Sequence, residues 1–192
     1  MMRPLLAMVM MMTLLPGIAL ADVLPDELAQ ITTLMASPPS LHGTFQQSKH
    51  LAALDTDIDS SGRFAYQRDT EIDWQTLEPV ESLLKLTPER ITSEQGGKIL
   101  SELETRNNPV VALFSDIFFG VMTARWSTLS EHFEVQTSVT GKTWQATLTP
   151  KAAEVQRVVS QVELQGGQYI TEIVLHEAEG DWTRIRFDNL QP

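Results

Sequence analysis

The second half of the chain consists of short segments in which apolar and polar residues alternate, joined by connections of only a few residues. The connections at 166–167 (GG) and 179–181 (EGD) have the length of hairpin turns. Parallel strands need a crossover of a dozen or more residues, so these connections predict antiparallel pairing. The chain is therefore predicted to form an antiparallel sheet in an α+β domain. The predicted strands cover residues 41–54, 64–68, 72–74, 83–86, 91–92, 133–139, 144–148, 158–164, 169–176 and 182–187.

Two short helices and one long loop are predicted outside these strands. Residues 22–36 place apolar side chains at helical spacing, and the SPPS sequence at 37–40 ends that helix. A second short helix is predicted over residues 126–133. Residues 55–62 (DTDIDSSG) are rich in turn formers, and we expect them to form an acidic loop.

One segment in the middle of the chain is apolar on nearly every side. The segment follows Asn108-Pro109, a typical helix start. Residues 110–122 include Phe114 and Phe118, and only Ser115 and Asp116 interrupt the apolar run. A helix of this composition must be buried or must cover an apolar surface. Two interpretations remain open: the helix fills an ordinary core, or it covers a cavity on the concave face of a curved sheet.

The N-terminus has the features of a secretory signal peptide. Arg3 precedes an apolar run over residues 5–20, and residues 19–21 (ALA) have the form of a cleavage site. We expect cleavage after Ala21, which leaves a single domain over residues 22–192. That mature chain has 13 basic and 25 acidic residues and a net charge of -12. The run is short for a membrane span, so no stable membrane insertion is expected.

Composition excludes several functions. The acidic balance argues against nucleic acid as a partner, and the absence of cysteine excludes thiolate metal sites and a cysteine nucleophile. Asp55, Asp57 and Asp59 match the start of a calcium loop, but Ser60 and Tyr66 stand where that loop needs Gly and Glu. No HExxH, GxSxG, GxGxxG or P-loop motif is present. We therefore predict no enzyme activity, no metal and no cofactor.

Four motifs, in order along the chain, resemble the LolA family of periplasmic outer-membrane lipoprotein carriers. Residues 62–74 (GRFAYQRDTEIDW) resemble the family's G-x-hydrophobic-x-x-x-R-P-x-x-F-x-W signature, with Asp69 in place of Pro and Ile72 in place of the aromatic residue. The other three motifs are similar to F-x-A-x-F-x-Q, Q-P-x-E-S-hydrophobic-hydrophobic and L-T-P-K. They are found at residues 41–47 (LHGTFQQ), 78–84 (EPVESLL) and 148–151 (LTPK).

The resemblance implies a strongly curved antiparallel sheet, an incomplete β-barrel, covered by a helical lid. It implies a carrier that shields the acyl chains of a lipoprotein or related lipid and ferries them toward the outer membrane. It places the family's lid-latching arginine at Arg68. We expect the following residues to line the lipid-binding cavity: Phe45, Phe64, Tyr66, Ile72, Trp74, Leu84, Leu86, Phe114 and Phe118.

The expected partners are acyl chains, an inner-membrane donor complex and an outer-membrane acceptor, and the expected state is a monomer in the periplasm. Two alternatives remain open. The chain could be a periplasmic accessory protein that binds lipid or glycolipid for an export system, or a sensor module that detects acyl chains.

Overall fold

The computed structural model describes residues 26–107, 115, 117, 119, 120 and 125–192. In this part of the chain, eleven strands form one sheet in the order β6-β5-β4-β3-β2-β1-β11-β10-β9-β8-β7, and each neighbouring pair is antiparallel. The strands are β1 (Ser40–Leu51), β2 (Thr56–Gln67), β3 (Glu71–Glu78), β4 (Ser82–Leu86), β5 (Arg90–Gln95), β6 (Lys98–Glu104), β7 (Phe133–Thr140), β8 (Thr143–Pro150), β9 (Val159–Gly166), β10 (Ile170–Glu177) and β11 (Trp182–Gln191).

The sheet is a pair of meanders that meet at its centre. Hairpins lead from β1 outward to β6 on one side and from β7 back to β11 on the other, and β1 pairs with β11 in the middle. Among the described residues, the two edge strands β6 and β7 do not pair with each other, so the sheet is not closed into a barrel. This confirms the predicted fold class.

Three α-helices have described bounds: α1 (Asp26–Leu34), α2 (Trp126–His132) and α3 (Ala153–Gln156). Both α1 and α2 contact the edge strand β7. Residues 115, 117, 119 and 120 are also helical and buried, and we refer to them as the mid-chain helical residues. They lie in the apolar segment that the sequence predicts to be a helix, between β6 at one edge of the sheet and β7 at the other.

The hydrophobic core lies on one face of the sheet because alternate residues of each strand turn toward it. On β8, for example, Trp144, Ala146 and Leu148 are buried while the residues between them are more exposed. Leu28 and Ile31 of α1 join the same core. The period-2 pattern predicted from the sequence thus determines which face of the sheet is buried.

One sequence prediction is wrong, and two elements of the structure were not predicted. The acidic loop predicted over residues 55–62 is wrong: the turn ends at Asp55, whose φ is 48°, and β2 begins at Thr56. The reason is that β1 continues to Leu51 and pairs with every residue of β2 from Thr56 onward, which overrides the local turn preference. Strand β6 and helix α3 were not predicted. The predicted signal peptide, residues 1–21, lies outside the described residues.

Candidate functional site

A cavity of about 300 Å³ lies on the concave face of the sheet. Its described lining residues carry no charge, and all but two are apolar. They are Gln47 on β1, Ile72 and Trp74 on β3, Leu84 and Leu86 on β4, Ile117 of the mid-chain helical residues, Val162 on β9, Ile173 and Leu175 on β10, and Thr183 and Ile185 on β11.

The cavity exists because the sheet is strongly curved. Strands β4 and β9 are six positions apart in the sheet, which would separate them by about 29 Å in a flat sheet. A cavity of 300 Å³ is about 8 Å across if it is spherical, yet Leu84 and Val162 both line it. The sheet must therefore bend until its two halves face each other.

Strand register places the lining side chains in matching rows. On one side, Ile72 lies opposite Leu86 and Trp74 lies opposite Leu84. On the other side, a row runs from Ile173 to Ile185 to Gln47, and the next row joins Val162, Leu175 and Thr183. Directly paired residues point to the same face, so each row presents one continuous strip of cavity wall.

Four of the residues predicted from the sequence line this cavity: Ile72, Trp74, Leu84 and Leu86. Phe45, Phe64 and Tyr66 do not line it, although they are buried on the same face. Phe114 and Phe118 lie outside the described residues. Whether any of these residues binds lipid remains a prediction.

Phe45 and Phe64 pack beside the cavity wall, against Trp74. The Phe45 ring stacks on Trp74 with 3.8 Å between centroids, and Phe64 lies 6.2 Å from the same ring. Phe187 completes the cluster, edge-on to Phe64 at 5.3 Å and to Trp74 at 6.0 Å. Offset and edge-to-face pairs of this kind fix ring orientation, so the cluster holds Trp74 in place as cavity wall.

The sequence motifs did not identify the lining residues on β9, β10 and β11. Val162, Ile173, Leu175 and Ile185 each stand in a predicted alternating strand, so their apolar pattern was visible. Alternation shows which side chains share a face, but it does not show which strands face each other across a curved sheet. The sequence did indicate that Ile117 covers an apolar surface or is buried, because it stands in the apolar mid-chain segment.

Arg68 lies outside the cavity, in the turn between β2 and β3. Its guanidinium donates a hydrogen bond to the main-chain oxygen of Ser37, just after α1. The main-chain N–H of Arg68 donates a second hydrogen bond to the main-chain oxygen of Pro39 at 2.9 Å. Arg68 therefore fastens the segment that follows α1 to the sheet. The predicted latch on a lid remains a prediction, now with α1 as the helix that this contact secures.

A second contact joins the same turn to the mid-chain helical residues. Asp69 forms an ion pair with Arg125, and the Arg125 N–H donates to the oxygen of Gly120 at 2.8 Å. Tyr66 is buried beside this pair, 6.4 Å from the Phe119 ring. Burial raises the pKa of the Tyr66 hydroxyl above its ordinary value, and the charge of Arg68 opposes that shift.

The described residues show neither a metal-binding cluster nor a membrane-spanning helix. Residues 26–107, 115, 117, 119, 120 and 125–192 contain no group of three or more His, Asp or Glu side chains arranged to hold a metal ion. Over the same residues, no helix combines the length and the apolar character that a membrane span requires.

Comparison with known proteins gives a family. The sequence model of the family described as "Outer membrane lipoprotein carrier protein LolA" matches residues 37–192, which is more than half of the chain. The chain belongs to the LolA family. Members of this family are periplasmic carriers that bind the acyl chains of lipoproteins, and they are not enzymes. Family membership therefore supports a general role for this chain as a carrier of lipids or lipoproteins.

Several solved structures have similar folds at low sequence identity. A LolA superfamily protein from Nitrosomonas europaea is 10% identical, with 85% of this chain and 90% of that chain covered and a TM-score of 0.47. The MucA/MucB complex of Pseudomonas aeruginosa matches at 14% identity, covering 86% and 56% of the two chains, with a TM-score of 0.49. No curated protein matches the chain significantly. Because both TM-scores lie below 0.5, the family assignment rests on the sequence match.

Proposed function

We propose that this protein is a periplasmic carrier that holds acyl chains of a lipoprotein, or of a related lipid, in the concave cavity and ferries them toward the outer membrane. In this proposal the signal peptide is removed after Ala21, an inner-membrane complex donates the cargo and an outer-membrane protein accepts it. The observation that carries the proposal is the uncharged cavity between β4 and β9, in a chain of the LolA family.

The cavity has the size and chemistry to shield part of one acyl chain. An engineered apolar cavity of about 150 Å³ holds one benzene, so a cavity of 300 Å³ corresponds to about twelve carbons. At about 0.8 kcal/mol for each buried CH₂, twelve methylenes gain roughly 10 kcal/mol on leaving water. A lipid with two or three long chains needs more room, so loading must widen the cavity.

The contacts around the mid-chain helical residues suit such widening. Ile117 lines the cavity, whereas the Asp69–Arg125 pair that secures this region is about half exposed on both sides. An exposed ion pair contributes little, about 1 kcal/mol or less. Displacing this region also exposes Ile117 and Phe119, which are buried, at about 1.5–3 kcal/mol for each side chain. Cargo whose burial gains roughly 10 kcal/mol can offset this cost, and a small net difference between the two states permits release.

Filling the cavity with a larger side chain tests the proposal. Leu84 lines the cavity, while its neighbour Leu83 points to the opposite face of β4. We expect Leu84→Trp to weaken the binding of a fluorescent long-chain acyl probe at least tenfold, and Leu83→Trp to leave it within about twofold. If the wild-type protein does not bind the probe, or if both variants bind it equally well, the cavity is not the acyl site.

A further inference from the structure

A groove of about 840 Å³ lies on the face of the sheet opposite the acyl cavity. On β11, Thr183 and Ile185 line the acyl cavity. Trp182, Arg184 and Arg186 alternate with them along the strand, so they point to the other face, where they line the groove. The volume is in the range of ligand-binding clefts. We call this feature the outer groove.

Strand register explains the shape of the outer groove. Arg184 on β11 lies opposite Ser48 on β1, and Ser48 lies opposite Asp59 on β2. The neighbouring rows are Trp182–His50–Asp57 and Arg186–Gln46–Ser61. The short Ser48 side chain forms part of the floor, between longer side chains on β11 and β2. These two walls are two strand spacings apart, or about 10 Å.

The two walls of the outer groove carry opposite charges. Arg184 and Arg186 stand on the β11 wall, and Asp57 and Asp59 stand on the β2 wall. Among the described residues, no ion pair joins one wall to the other. Arg186 instead pairs with a glutamate on β10, and Asp57 pairs with a histidine on β1. Both walls therefore keep their charges available to a ligand that enters between them.

Arg184 has a hydrogen-bond donor that the described residues leave unused. Its Nε is buried and has no hydrogen-bond partner among them. The guanidinium carbon lies 5.1 Å from the centroid of the Trp182 ring, and the His50 ring stacks on the same tryptophan at 5.3 Å. Buried donors are nearly always paired, so this one indicates a missing acceptor. A carboxylate of a ligand in the groove would supply that acceptor.

From this arrangement we infer that the outer groove binds an extended polypeptide segment of a partner protein, in which acidic and basic residues alternate. An extended chain sends successive side chains to opposite sides, with about 7 Å between those on the same side. Arg184 and Arg186 are two residues apart on their strand, as are Asp57 and Asp59 on theirs, so both walls have the same repeat. The acidic side chains of the segment meet the arginines, and its basic side chains meet the aspartates.

A ligand of uniform charge fits the outer groove less well. A polyanion or an anionic lipid surface is attracted by the β11 wall and repelled by the β2 wall, and a polycation meets the reverse. The inference is independent of the carrier function, because the outer groove and the acyl cavity lie on opposite faces of the sheet.

Two peptides of identical composition test this inference. One consists of four glutamate–lysine repeats, and the other has four glutamates followed by four lysines. Both are capped, fluorescein-labelled and titrated into the full mature protein at low salt, with binding followed by fluorescence anisotropy. We expect the alternating peptide to bind at least fivefold more tightly, because half of the charges in the block peptide meet a wall of the same sign. Salt at 1 M should remove the difference.

Variants of the arginine wall locate the site. Arg184→Gln combined with Arg186→Gln should weaken binding of the alternating peptide about fivefold, since each exposed charge pair contributes a factor of about two to three. Arg90→Gln combined with Arg106→Gln is the control, because it changes the net charge equally outside the groove. This control should leave binding within about twofold.

Variants of the acidic wall test the second half of the charge pattern. Asp57→Asn combined with Asp59→Asn should also weaken binding of the alternating peptide about fivefold. Glu134→Gln combined with Glu154→Gln is its control and should leave binding within about twofold. Thermal unfolding and binding of the fluorescent acyl probe show that each variant is folded.

The comparison of peptides on the wild-type protein decides the inference even if a variant does not fold. If neither peptide binds, or if both bind equally, the inference is wrong. A uniformly acidic peptide of the same length that binds more tightly than the alternating one would make the groove an anion site and would also overturn it. If folded variants of both walls bind the alternating peptide as the wild type does, the outer groove is not the site.

Discussion

A methyl group added at Gly62 should disturb the packing of β1, β2 and β3 beside the cavity. Gly62 is buried on β2, opposite Phe45 on β1, beside an irregularity in the pairing of β2 with β3. A Cβ at this position would lie 1.9 Å from the main-chain oxygen of Gln75 and 2.8 Å from Cζ of Phe45. The Gln75 oxygen belongs to the neighbouring strand, so β3 or β2 must shift to make room.

The expected cost of Gly62→Ala is at least about 3 kcal/mol in the free energy of unfolding. Overpacking costs 1–3 kcal/mol when side chains can yield, and here the obstacle is backbone. A stiffer unfolded chain returns about 0.4–1 kcal/mol, which offsets only part of this cost. For a domain of this size, 1 kcal/mol corresponds to about 2–4 °C in Tm, so the variant should melt roughly 6–12 °C lower.

Gly141→Ala is the matched control for this substitution. Gly141 has a φ of 62° and no atom within 4 Å of its Cβ position, so alanine there costs conformational energy alone, about 1–2 kcal/mol. Thermal unfolding followed by circular dichroism compares the two variants with the wild type. If Gly62→Ala melts no lower than Gly141→Ala, the close packing of β1, β2 and β3 described above is incorrect.

Three further substitutions probe the turn between β2 and β3. Arg68→Leu removes the hydrogen bond to Ser37 and should cost about 1 kcal/mol, with faster hydrogen exchange in α1; unchanged exchange there would show that Arg68 does not secure α1. Asp69→Asn should lower stability by about 1 kcal/mol or less at low salt and have no effect at 1 M salt, because its pair with Arg125 is exposed. The raised pKa of Tyr66 implies that the folded protein retains a proton that the unfolded chain loses, so the free energy of unfolding should fall above about pH 10. Tyr66→Phe should reduce that fall, as measured by denaturant titrations across this pH range. An identical decline in both proteins would refute the raised pKa of Tyr66.

The alternating segments predicted the antiparallel sheet well, because hairpin connections leave few choices of pairing. Turn propensity failed at residues 55–62, where the long partner strand β1 decides the conformation. The cavity was partly predictable. Ile72, Trp74, Leu84 and Leu86 come from the part of the chain that carries the family motifs, whereas Ile173 and Leu175 enter through curvature that brings β10 opposite β4. Curvature depends on bulges and close contacts summed over many strands, and no short sequence pattern encodes it.

Photo-crosslinking with an acyl chain that carries a diazirine tests most directly whether the concave cavity is the acyl site. The mature protein is equilibrated with the probe, irradiated and digested, and the modified residues are located by mass spectrometry. We predict labels on cavity residues from both halves of the sheet, including Leu84, Val162 and Leu175. Labels confined to exposed apolar side chains such as Ile99 and Leu100 on β6, or no light-dependent label, would contradict this account.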